Sequence, residues 1–174
     1  MDRGQYCAQM EARLTAVQGR EERLVAAVGV LGDAFAVKPD EVAIFWQCHV
    51  LEQEVLRFLW PPHLAASPSG YVLLSSGNSL AVRTFVENTP FINLLFSSTS
   101  HASYFEMLPV EKGSKQRPPP IQKIISAPLR APGGFSGVVQ ISHKGESPAV
   151  VVAEFREEDL TLLAALASIM SQRL

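Results

Sequence analysis

Residues Ile121–Lys144 read IQKIISAPLRAPGGFSGVVQISHK, two runs rich in β-branched and apolar residues on either side of Ala131-Pro132-Gly133-Gly134. Such runs around a Pro-Gly-Gly turn predict a β-hairpin, with Gly133 and Gly134 supplying positive φ angles. Setting Ala131 opposite Gly134 fixes the register. One face then carries Ile121, Lys123, Ile125, Ala127 and Leu129 with Ser136, Val138 and Gln140. The other carries Gln122, Ile124 and Ser126 with Phe135, Gly137, Val139 and Ile141. Both faces are partly apolar, so the sheet is expected to be covered on both sides, one of them by helices from the chain ends. Ser126 and Gln140 fall on opposite faces in this register, so only one of them can meet a ligand.

Downstream, FREEDLTLLAALASIMSQRL (155–174) predicts a helix. Glu157, Glu158 and Asp159 favour its N-terminus, and Leu160, Leu163, Leu166, Ala167, Met170 and Leu174 form one stripe. Upstream, EVAIFWQCHV (41–50) and EVLRFLW (54–60) read as two strands of a hairpin, followed by the Pro-rich loop PPHLAASPSG (61–70). SSGNSLAVRTFVENTP (75–90) predicts a short helix capped by Ser76 or Asn78 and closed by Pro90. FINLLF (91–96) is a strand, and residues 97–120 form a long loop without a firm period.

The N-terminal segment steps through Cys7, Met10, Leu14, Val17, Glu21, Leu24, Val28, Leu31 and Phe35 at alternating three- and four-residue intervals. This heptad seam predicts one helix ending before Pro39, and Gly19, Gly29 and Gly32 each cost it about 1 kcal/mol against Ala. A seam held this long is expected to pack against a partner chain as well as its own domain, with Met10, Leu14, Val17, Leu24, Val28 and Leu31 as the dimer contact.

At 174 residues and 47% hydrophobic, the chain is long and apolar enough for one domain with a real core. A net charge of −2, from 15 basic and 17 acidic side chains, offers no broad field for nucleic acid or an anionic membrane. The apolar runs are short and the N-terminus is charged, so the protein is expected to be cytoplasmic. Cys7 and Cys48 are too few for a disulfide framework and wrongly spaced for zinc.

The order helix, two strands, short helix, strand, long loop, two strands, helix resembles a GAF domain, the small-molecule-binding sensor fold of signalling proteins. The resemblance rests on SAPLR to GFSGVVQI (126–141) and on FREEDLTLLAALA (155–167), with a weaker match at SSGNSLAVRTFVENTPFIN (75–93). It implies an α/β (α+β) fold: a central antiparallel sheet of five to six strands, N- and C-terminal helices on one face, short helix and long loop forming a pocket on the other. Residues 1–38 are then a signalling and dimerisation helix packed with the C-terminal helix, and 39–174 the sensor domain.

Cyclic-nucleotide-binding members carry an Asn-Lys, Phe, Asp-Glu signature, met here by His143-Lys144, Phe155 and Glu158-Asp159 with two departures. Asparagine is replaced and the acids are reversed, so Lys144 and the acids are expected to form a structural ion pair behind the pocket. Free methionine sulfoxide reductases also resemble this fold but use several clustered cysteines, so the two thiols here imply a chain that is not an enzyme. Cys48-His49 does not match the bilin attachment pattern, and His101 within SSTSHAS reads as loop rather than triad.

Ligand-binding candidates are Arg83, His101, Tyr104, and Ser126 or Gln140; Arg83 has the competing role of pairing with Glu87 at i+4. The resemblance thus implies a sensor that binds an unidentified small molecule, with no cofactor named, and signals through a homodimeric helical interface to an output domain or protein. The alternative is a ligand-free dimerisation or interaction scaffold. The apolar helix running to the last residue also suits the N-terminal piece of a longer protein.

Overall fold

The computed structural model describes residues 2–98, 119–133, 135–151 and 153–174. The helices are α1 (Arg3–Ala16), α2 (Arg20–Phe35), α3 (Pro62–Ala65), α4 (Leu80–Glu87) and α5 (Glu157–Arg173). The strands are β1 (Val42–Val50), β2 (Gln53–Trp60), β3 (Tyr71–Leu73), β4 (Phe91–Asn93), β5 (Ile121–Arg130) and β6 (Ser136–Lys144). They form one six-stranded sheet in the order β3-β2-β1-β6-β5-β4, antiparallel at every pairing.

The hairpin β5–β6 forms where expected, but one residue out of the expected register. Arg130 faces Ser136, Leu129 faces Gly137 and Ser126 faces Gln140. Arg130 and Ser136 close the hairpin, Gly133 has φ +67° as expected, and Gly134 lies outside the described residues. A one-residue slip moves every side chain of one strand to the opposite face. Ile125, Ala127, Leu129, Val139 and Ile141 therefore lie together in the core under the helices. Ser126 and Gln140, expected on opposite faces, share the other one.

β1 and β2 are joined by Leu51 and Glu52, both at positive φ, which suits a two-residue hairpin turn. The pairing shifts between Ile44 and Phe45, leaving Leu59 as the extra residue of β2, so Leu59 and Trp60 both pack on the helix-side core. Phe45, next to Ile44 on β1, enters the opposite core by ordinary alternation. Gly137 of β6 allows the close approach of β1: a Cβ there would lie 1.9 Å from the Phe45 carbonyl oxygen. The Pro-rich segment expected as loop contains α3, and β3 follows Gly70 as a sixth strand too short for an alternation pattern to register.

The expected single N-terminal helix is two. Val17 is extended at the end of α1, and α2 starts after Gly19, whose N–H donates to Glu22 Oε2 at 3.4 Å. Glu21, the one polar place in the heptad, stands in the first turn of α2, where an acidic side chain is favoured by the helix dipole. The seam's residues are used inside the chain. Met10, Leu14, Leu24, Val28 and Leu31 are all buried with Leu163, Leu166 and Met170 of α5 and with the sheet. Five of the six expected dimer residues are thus covered within the chain itself, and Val17 is half-buried. Arg173 ties the layer together: its Nη2 donates to Glu11 Oε1 at 3.1 Å, and its carbonyl accepts from Arg23 Nη1 at 2.6 Å.

On the other face α3 and α4 cover a second core of Phe45, Leu56, Phe58, Leu64, Val72, Ala81, Val82, Phe85 and Val138. The cap of α4 is Ser79 rather than Ser76 or Asn78, its Oγ accepting from Val82 N at 3.3 Å. No helix among the described residues is long and apolar enough to cross a membrane.

Candidate ligand cavity

Between the sheet and α3–α4 lies a cavity of about 110 Å³, an order of magnitude above what one water needs. Its walls are mostly apolar, with Phe45, Phe58, Leu64, Val72, Ile124 and Phe96 prominent. Phe45 and Phe58 pack ring to ring, centroids 4.1 Å apart and tilted by 41°. Polar groups reach it from three directions: Gln140 and Ser142 from β6, Ser79 with Leu80 and Ala81 from the start of α4, and Asp40, Glu41, His63 and Lys144 from one end.

Gln140 is 8% exposed and sits on a hydroxyl relay. Its Nε2 lies 3.2 Å from Ser126 Oγ, which lies 2.8 Å from Thr84 Oγ1, which in turn lies 2.8 Å from the Leu80 carbonyl oxygen. A carbonyl only accepts, so Thr84 must donate to it. Ser126 must then donate to Thr84, and Ser126 Oγ is left as an acceptor for the Gln140 amide. The carboxamide is thereby held with its nitrogen toward Ser126.

The charged end is largely self-satisfied. The Glu41 carboxylate accepts from the Lys144 and Lys38 backbone N–H groups, both at 2.9 Å. Lys144 Nζ donates to the Asp40 carbonyl and lies 3.8 Å from its carboxylate. Ser142 Oγ donates to the Glu41 carbonyl at 3.0 Å. Burial, reinforced by the Lys144 charge and opposed by Asp40, pushes the His63 imidazole below its ordinary pKa. At neutral pH it is uncharged.

The sequence candidates separate accordingly. Gln140 lines the cavity, and Ser126, fully buried, stands behind it. Arg83 does not line the cavity: its Nε donates to Glu87 Oε1 at 2.9 Å and its guanidinium lies 4.4 Å over the Phe91 ring, at the surface. His101 and Tyr104 lie outside the described residues. The proposed signature divides across the sheet. Lys144 faces the cavity and pairs with Asp40, whereas Phe155 is buried in the helix-side core, stacked on His143. Asp159 accepts from Arg156 N at 2.8 Å to cap α5, and Glu158 is exposed, so neither acid pairs with Lys144. The buried lysine behind the sheet is Lys123, whose Nζ donates to the carbonyls of Val151 and Ala153 and contacts Glu154 Oε1 at 3.3 Å.

Asp40, His63 and Thr84 were missed by the sequence reading. Asp40 follows Pro39 at a strand entry, His63 sits in a Pro-rich stretch, and Thr84 is a small polar residue on a helix; none has a periodic signal. Among the described residues no cluster of His, Cys, Asp or Glu is arranged to hold a metal ion.

Solved structures of low sequence identity share the whole architecture. The GAF domain of a phosphoenolpyruvate-protein phosphotransferase from Coxiella burnetii superposes over 98% of this chain and 91% of its own, at 15% identity and TM-score 0.66. The chain has the GAF fold. Free methionine-R-sulfoxide reductase from Neisseria meningitidis, solved with its substrate, matches this GAF-fold chain over 98% of its length and 87% of the enzyme's, at 17% identity and TM-score 0.64. By sequence, 44 residues are 48% identical to a Jannaschia sp. (strain CCS1) protein named "Putative hydro-lyase", a span of 25% of this chain and 16% of that protein. No family model matches the sequence.

These likenesses overturn the expectation that the chain is not an enzyme. The GAF fold seen here is also that of a solved reductase, and 44 residues are similar to part of a protein named as a hydro-lyase, so the fold and the two-thiol count do not set this chain apart from enzymes. Neither thiol lines the cavity described: Cys7 is on α1, and Cys48 is on β1, where burial raises its pKa despite Arg57.

Proposed function

We propose that this GAF-fold chain binds a small molecule in the cavity under α3 and α4 and acts as a sensing, regulatory domain. The observation that carries the reading is Gln140: a buried carboxamide, fixed from behind, at the wall of a cavity with room for more than water. Gln140 Oε1 is not sealed from solvent, so a ligand donor there takes the place of water at a fixed polar group in an otherwise apolar wall. Gln140 alternates along β6 with Val139 and Ile141, which are buried under the helices. A ligand that shifts β6 therefore moves the β5–β6 hairpin on which α5 rests, and with it α1, which packs on α5. We further propose that the helical layer passes this change to a second copy or to an output protein, through a surface other than the buried heptad stripe.

A thermal-shift screen against metabolites tests the binding step. A ligand at about 100 times its dissociation constant adds about 2.7 kcal/mol, or several degrees in melting temperature for a chain of this size. The reading predicts a selective hit that perturbs the NMR signals of Phe45, Phe58 and Gln140. Hits confined to residues away from the cavity, or none across a broad library, would refute it.

A further inference from the structure

Resting on the reading of the cavity as a ligand site, we infer that its ligand is an uncharged molecule that presents a hydrogen-bond donor to Gln140 Oε1 from a compact apolar body, as an amide does. The hydroxyl relay carries the first part. Thr84 Oγ1 lies 2.8 Å from the Leu80 carbonyl and 2.8 Å from Ser126 Oγ, so both hydroxyl protons run away from Gln140. A flipped carboxamide would set Oε1 against a Ser126 oxygen with no proton to offer, 3.2 Å away. The nitrogen is therefore locked inward, and what the cavity meets is an acceptor oxygen that makes no bond to any described residue. A carboxylate has no proton for it.

The remaining groups agree. Among the described residues Asp40 and Glu41 outnumber Lys144 in the cavity lining, and His63 is neutral, which disfavours an anion. A cation meets the opposite obstacle at the start of α4. Ser79 Oγ takes the Val82 N–H, leaving the Leu80 and Ala81 amides as helix N-terminal donors, the positive end of the dipole. Those amides suit a carbonyl oxygen. One neutral amide can give its N–H to Gln140 Oε1 and its C=O to the helix.

Benzamide, benzoate and benzamidine share one body and differ in charge and proton inventory, so they are suitable probes. Titrated into the full chain and followed by the NMR signals of the cavity residues and of the Gln140 side-chain amide, benzamide should bind at least about tenfold tighter than either ion. In Ser126→Ala the carboxamide is released to turn, and the preference over benzoate should fall to about threefold or less while the protein stays folded. Because Ser126→Ala could itself unfold the chain, Gln140→Glu serves as a second variant; it should abolish benzoate binding and raise the affinity for benzamidine. Benzoate or benzamidine binding the unaltered chain as tightly as benzamide would overturn the inference and leave the ligand site standing. Absence of cavity perturbation by all three, up to their solubility, would overturn both.

Discussion

His143 lies flat on Phe155, ring centroids 4.3 Å apart and 10° from parallel, on the helix side of β6. Burial lowers its pKa; Glu41 opposes this, Lys123 adds to it and Asp159 opposes it. The unfolded chain then binds a proton on this ring more readily than the folded one, so folding stability is full above about pH 6.5 and is lost as pH falls toward the lower folded value. The melting temperature should fall between pH 7 and pH 5, and His143→Phe, which keeps the stacking and removes the proton site, should make that fall shallower. An unchanged slope in the variant would move the acid sensitivity elsewhere. The same residue shows the limit of reading single positions from sequence. Lys144 and Phe155 are each where a motif would put them, but β6 points Lys144 to the cavity, whereas Phe155, in the segment entering α5, is buried on the helix side. The register slip at Ile121–Lys123, which has no composition signal, turns Ile121 to the cavity while Lys123 stays on the helix side with Ile125.

α1 and α2 together show what periodicity can and cannot decide. The three-and-four spacing marks the buried residues correctly, because a stripe that packs on α5 and the sheet obeys the same geometry as one that packs on another chain. What the spacing lacks is the identity of the partner surface. The break at Val17–Gly19 was signalled by Gly19 with Glu21 and Glu22, a helix start inside an apparently continuous seam. Leu14→Ala should therefore cost about 3 kcal/mol of folding stability, the usual cost of a buried Leu-to-Ala cavity. The loss should be the same at micromolar and hundred-micromolar protein in denaturant titrations. A loss that shrinks with concentration would return the stripe to an intermolecular role.

At the scale of the whole molecule, strand and helix order were legible because long amphipathic runs and Pro-Gly punctuation survive without tertiary information. The sixth strand was not, since three residues give no period. The position of the cavity followed from the fold, but its chemistry did not: Gln140 and Ser126 meet only in the true register, and Thr84 joins them from a separate helix.

The alternation of β6 also sets how this chain can change over generations. Gln140 and Ser142 face the cavity, while Val139 and Ile141 between them serve the helical layer. Replacing any one of them alters a single side of the sheet. Adding or deleting one codon within β5 or β6 exchanges the two sides outright, sending amide and hydroxyl into the apolar layer and aliphatic side chains into the cavity. In a library scored for folded protein, substitutions at Gln140 and Ser142, each of which breaks one buried hydrogen bond, should be better tolerated than one-codon insertions anywhere in Ile124–Leu129, which should be eliminated. Tolerance of such insertions would mean that the hairpin can re-register. The wall of the cavity is then free to diversify in identity but not in length.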